Sequence, residues 1–142
     1  MDIEGRSYRG SIRWRSPSDD YLSPIPRDQF HLLPFHGIAH VAYLPERLLA
    51  SLSSLARVID CFAHRLEIQE TVTRQIAEAL DEHLDARGAF VILETDQTCL
   101  TARGIEKESA RTVTRHCTGA FLEESALRSE MLASLANSGG SP

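Results

Sequence analysis

Between Gly37 and Gln97 the spacing of apolar residues changes twice, and no other feature limits the fold as strongly. "GIAHVAYLP" (37–45) alternates and stops at a proline, as a half-buried strand does. From about Leu52 the period lengthens. Leu55, Val58, Ile59, Phe62 and Leu66 then share one helical face, with Ser51 or Ser53 as candidate cap. A second helix follows in "TVTRQIAEALDEHL", striped by Val72, Ile76, Ala79, Leu80 and Leu84, with Gly88 as its expected end. "AFVILETDQTCLTARG" then returns to strand character and runs to Gly104.

The flanks extend the pattern. "YLSPIPRDQFHLL" is extended but broken by prolines, which predicts an edge or bulged strand. "RTVTRHCTGAF" predicts another strand, with Val113 on one face and Thr112 and Thr114 on the other. "ESALRSEMLASLA" predicts a short closing helix. The order strand, strand, helix, helix, strand, strand, helix is an α+β fold with an antiparallel sheet and two helices on one face. Such a sheet has an open edge and a thin core, so association into a ring of identical subunits is expected. The domain is placed at 20–136. Residues 1–19 read as a flexible arm or one loose strand, and 137–142 as a disordered tail. "IEGR" at 3–6 matches a protease-recognition sequence used in recombinant fusions, so the first residues are candidate tag residues.

A net charge of −5 gives no basis for nucleic-acid binding, and no apolar run approaches the roughly 20 residues of a membrane span. Three cysteines make no disulfide framework, so a reducing, cytoplasmic location is expected. Fourteen of the fifteen basic residues are Arg, which suits planar anionic ligands; base composition of the gene gives the same bias.

Asp28, His31 and Cys99 together offer one oxygen, one nitrogen and one sulfur donor, a set that suits Zn2+ with a fourth position for water. Gln69 and Glu70 begin the second helix. There a carboxylate either serves the helix end or grips the N–H edge of a guanine-like ring. Arg57 and Arg103 suit phosphate or carboxylate, or a subunit contact. His116 and Cys117 are neighbours on a strand, so their side chains face opposite ways, and either enters a pocket alone.

"HLLPFHGIAHVAYLPERLLASLSSLARVID", "FAHRLEIQETVTRQIAEAL", "CLTARG" and "TVTRHCTGAF" together resemble the GTP cyclohydrolase I family, in order, from about Asp28 to Met131. The resemblance implies the tunnelling fold, in which ββααββ subunits close into an oligomeric barrel, a pentameric ring or a decamer of two rings. It implies a zinc-dependent opening of the imidazole ring of GTP, giving dihydroneopterin triphosphate and formate.

Carried onto this chain, the family's Cys-Glu-His-His becomes Asp28, Gln29, Phe30 and His31. A zinc-ligand histidine position is kept at His31. Asp28 stands at a zinc cysteine, and Phe30 at a proton-transfer histidine. The later His-x-Cys becomes Gln97, Thr98 and Cys99: the zinc cysteine is kept and the second catalytic histidine is Gln97. The phosphate-binding Ser-Lys-Leu-x-Arg becomes Ser53, Ser54, Leu55, Ala56 and Arg57, without the lysine. Gln69 and Glu70 match the guanine-recognition pair, and Arg103 a family arginine.

Three functions stay open on these residues. One is a divergent enzyme acting on a purine, pterin or related ring, with His116, His36 or Cys117 as new proton donor or nucleophile. Another is a non-catalytic ring protein that binds such a ligand. The third is the ordinary GTP reaction.

Overall fold

Every residue from Ala89 to Leu93 is buried, so the strand that carries them needs cover on both faces. The computed structural model describes residues 8–14, 35–63, 65, 67–97 and 111–138. In chain order these form strands β1 (Tyr8–Trp14) and β2 (Phe35–Pro45), helices α1 (Leu52–Ala63) and α2 (Gln69–Leu84), and strands β3 (Ala86–Gln97) and β4 (Arg111–Cys117). A four-residue helix α3 (Ala120–Glu123) and a helix α4 (Ser125–Ser138) complete them. The four strands make one antiparallel sheet in the order β1-β2-β3-β4, so β3 is internal and β1 and β4 are edges.

Alternation along β2 and β3 divides the core in two. Ala39, Val41, Tyr43, Ala89, Val91 and Leu93 meet the buried stripes of α1 (Leu55, Ile59, Ala63) and α2 (Val72, Ile76, Leu80). Ala42, Phe90 and Ile92 face the other way and pack on Phe121 of α3 and Met131 of α4. Two helices therefore lie on one face, as expected, and the closing helices cover part of the second. Tyr43 is buried completely, and its hydroxyl accepts the Ala50 N–H at 2.9 Å, which fixes the turn into α1. Ser51 caps that helix, accepting the Ser54 N–H at 3.2 Å.

The expected end of α2 at Gly88 is corrected. The helix stops at Leu84, and Asp85 takes the left-handed conformation (φ 48°, ψ 48°) that an aspartate tolerates. Gly88 is instead a buried β3 residue. A Cβ there would lie 2.6 Å from the Thr118 carbonyl oxygen, and Gly119 opposite it has φ +51°. This glycine pair lets α3 close directly onto β3.

The segment 8–14, which left a choice between arm and loose strand, forms β1 and pairs with β2 from Tyr8↔Tyr43 to Trp14↔Gly37. The proline-broken stretch expected to be a strand lies outside the described residues, as do 98–104 and the side chain of Leu66. Helix α4 runs to Ser138, into the segment expected to be tail. Among the described residues no helix is long and apolar enough to cross a membrane.

Candidate functional site

The ladders bring four strand ends together. Phe35 pairs with Gln97, Gly37 with both Trp14 and Thr95, and Asp96 with Arg111. At this end of the sheet β2 and β4 begin and β1 and β3 finish. The first turn of α2 is bound to the same end by one side chain. Gln69, only 4% exposed, donates from Nε2 to the Leu93 carbonyl (3.1 Å) and the Thr112 carbonyl (3.2 Å). Its Oε1 accepts from the Thr95 hydroxyl at 2.6 Å. Two carbonyl acceptors leave only one orientation for the amide. One residue thus ties α2 to both β3 and β4. This expected ligand-binding side chain is therefore also a tie inside the fold.

One turn on, Thr73 is also buried. Its hydroxyl donates to the Gln69 carbonyl at 2.8 Å and lies 2.6 Å from the Thr114 hydroxyl. Helix α2 and edge strand β4 are therefore joined by polar bonds at two successive levels.

Along the outer side of this junction runs an open groove of about 530 Å³. Glu70, Thr71 and Arg74 line it from α2, and Thr114, Arg115 and His116 from β4. Glu70 is exposed in the first helical turn, where its charge also complements the helix N-terminus. Arg74 bonds Glu78 at 2.7 Å, both exposed. His116 is half-buried. The groove thus combines an acidic acceptor, the Arg74 guanidinium and an imidazole, with Arg115 at its β4 rim. That set has the chemistry to accept N–H donors and to pair with anionic groups.

The other expected site residues fall as follows. Cys117 packs with the second cluster, beside Phe90 and Phe121, on the face opposite His116. Ser53 and Arg57 are exposed on α1, outside the groove lining, and Ser53 shares a 2.9 Å hydroxyl contact with Ser51. His36 and Gln97 have described backbones, one residue into β2 and at the end of β3. Asp28, Phe30, His31, Cys99 and Arg103 lie outside the described residues. Among the described residues no three His, Cys, Asp or Glu side chains are grouped to hold a metal.

Arg74, Thr114 and Arg115 were not singled out from sequence. Arg74 follows Glu70 by one helical turn, and Thr114 and His116 share a strand face. Both spacings were readable, but nothing in them says that α2 and β4 meet.

On the other sheet face, His40 Nε2 lies 3.5 Å from Glu94 Oε1, and Arg111 approaches Glu94 Oε2 at 3.5 Å. Burial lowers the His40 pKa below its ordinary 6.5, and the Glu94 charge and hydrogen bond only partly offset this.

The sequence profile of the GTP cyclohydrolase I family matches residues 29–136, the span that contains every element from β2 to most of α4. The chain belongs to the GTP cyclohydrolase I family. It is 45% identical over 104 residues to GTP cyclohydrolase 1 of Gloeobacter violaceus, covering 73% of this chain and 49% of that protein. GTP cyclohydrolase 1 of Dictyostelium discoideum is 43% identical over 102 residues, covering 72% and 44%. GTP cyclohydrolase 1 2 of Pseudomonas syringae pv. tomato is 45% identical over 104 residues, covering 73% and 58%. The chain spans about half the length of the curated relatives it matches. The antiparallel sheet with α1 and α2 on one face agrees with the tunnelling fold of the GTP cyclohydrolase I family.

Proposed function

We propose that the groove beside Glu70 binds the N–H edge of a purine- or pterin-type ring, and that this chain performs chemistry altered from GTP ring opening. The observation that carries the reading is the Gln69 tie. It holds the first turn of α2 at the sheet end where β2 begins and β3 finishes, and leaves Glu70 lining the groove. Family resemblance assigns guanine recognition to Glu70.

That same sheet end supports the metal set. His31 precedes Phe35 by four residues and Cys99 follows Gln97 by two. Phe35 and Gln97 are ladder partners, whose Cα atoms sit about 5 Å apart. A chain reach of up to about 3.5 Å per residue is compatible with both ligand positions meeting at one ion. Asp28, His31 and Cys99 have the donor chemistry for zinc. Bound there, zinc would supply a water of lowered pKa and polarise the ring. The chain's own groups do the rest: Glu70 accepts N–H bonds, Arg74 balances anionic substituents, and His116 exchanges a proton at an imidazole nitrogen. His36 and Cys117 are the other proton-carrying candidates.

Resemblance puts Phe30 and Gln97 at the family's two proton-transfer positions, and neither ionises. Each such group contributes about 10²–10⁴-fold in rate. Wild-type chain loaded with zinc is therefore expected to release formate from GTP slowly. The variant Phe30→His with Gln97→His is expected to raise that rate at least about 100-fold. Formate release by wild type as fast as by the double variant would sink the altered-chemistry reading. The assembly proposed is a homo-oligomeric ring, a pentamer or a decamer, because among the described residues β1 and β4 are the outer strands of the sheet. A cytoplasmic location is part of the same reading.

A further inference from the structure

The hydroxyl of Thr73 carries one proton, and the 2.8 Å bond to the Gln69 carbonyl uses it. Its 2.6 Å contact with Thr114 must then run the other way, with Thr114 donating and Thr73 accepting. A one-way chain results, from Thr114 through Thr73 to the Gln69 backbone. Thr114 lines the groove and has no second proton, so toward any further partner its oxygen offers lone pairs only. A hydroxyl that would ordinarily rotate to suit any partner is fixed as an acceptor.

We infer that Thr114 is a specificity-determining residue that accepts an N–H bond from the bound ring alongside Glu70. The groove then has one charged and one neutral acceptor on its two walls. It selects a ring with at least two N–H donors, such as the 2-amino-pyrimidinone edge shared by guanine and pterin. A ring without the 2-amino group leaves one acceptor unsatisfied, and an unpaired polar group in a site discriminates more sharply than a lost apolar contact. This inference rests on the heterocycle reading of the groove and adds a determinant that Glu70 does not supply.

Calorimetric titration of the full chain with guanosine triphosphate and with inosine triphosphate, which lacks the 2-amino group, tests it. Wild type is expected to prefer the guanine nucleotide. Thr114→Val should weaken the guanine nucleotide about three- to tenfold and the inosine nucleotide by less than about twofold, and Thr114→Ser should restore the preference. Thr73→Val, which leaves the groove wall untouched, should also reduce the preference, because it frees the Thr114 proton. Thermal melts confirm that each variant is folded, and Thr73→Val decides the matter if Thr114→Val is not. Equal weakening of both nucleotides, or an unchanged ratio in both valine variants, overturns the inference while leaving Glu70's role intact. Absence of nucleotide binding by wild type, or binding indifferent to Glu70→Ala, overturns the groove reading and this inference with it.

Discussion

His40 keeps a titratable ring half-buried between strands, and the consequence is a defined pH dependence. Its folded pKa is lowered, so below about 6.5 the unfolded chain binds more protons than the native one. Stability should therefore fall as pH drops through 6.5, until the folded value is also passed. Urea unfolding at pH 7.5 and 5.5 should show a smaller loss in His40→Gln than in wild type; an equal loss would contradict the assignment. Tyr43→Phe leaves the Ala50 N–H without its partner and should cost about 1–2 kcal/mol in the same experiment. Alternation over 37–45 made the strand readable, and the structure shows Tyr43 on its core side. The sequence did not show where the hydroxyl goes, because that depends on the turn after Pro45.

Helix α2 shows what separates two adjacent residues once an element is placed. Gln69 faces inward and makes three bonds to two strands, while Glu70 is exposed one position on. Gln69→Leu should destabilise by about 3 kcal/mol, since it strands two carbonyls and a threonine hydroxyl. Glu70→Gln should change stability by less than about 0.5 kcal/mol. Comparable melting temperatures for the two variants would refute that division. The sequence made the helix legible through Val72, Ile76 and Leu80, and resemblance marked Gln69 and Glu70 as a pair. Only the packing of α2 on β3 and β4 shows that one is buried and the other exposed. The same limit explains Gly88, which has the look of a helix stop. It is needed because α3 approaches β3 too closely for a side chain.

At the scale of the molecule, the described strands form a sheet at one end of which β2 and β4 begin and β1 and β3 finish. A long unpaired edge invites pairing with another copy. Light scattering at micromolar concentration should give a mass several times that of one 15.8 kDa chain, and a monomer would remove the ring from the proposal. The α+β order and the helical stripes were readable from period alone. The groove was not, because its walls are 40 or more residues apart in sequence and meet through Gln69 and Thr73. The most direct test is calorimetric titration of the zinc-loaded full chain and its Glu70→Ala variant with guanosine triphosphate. Saturable binding by wild type, weakened at least about tenfold by the substitution, is the expected result. Equal affinity in both proteins would contradict the central claim that Glu70 recognises the ring.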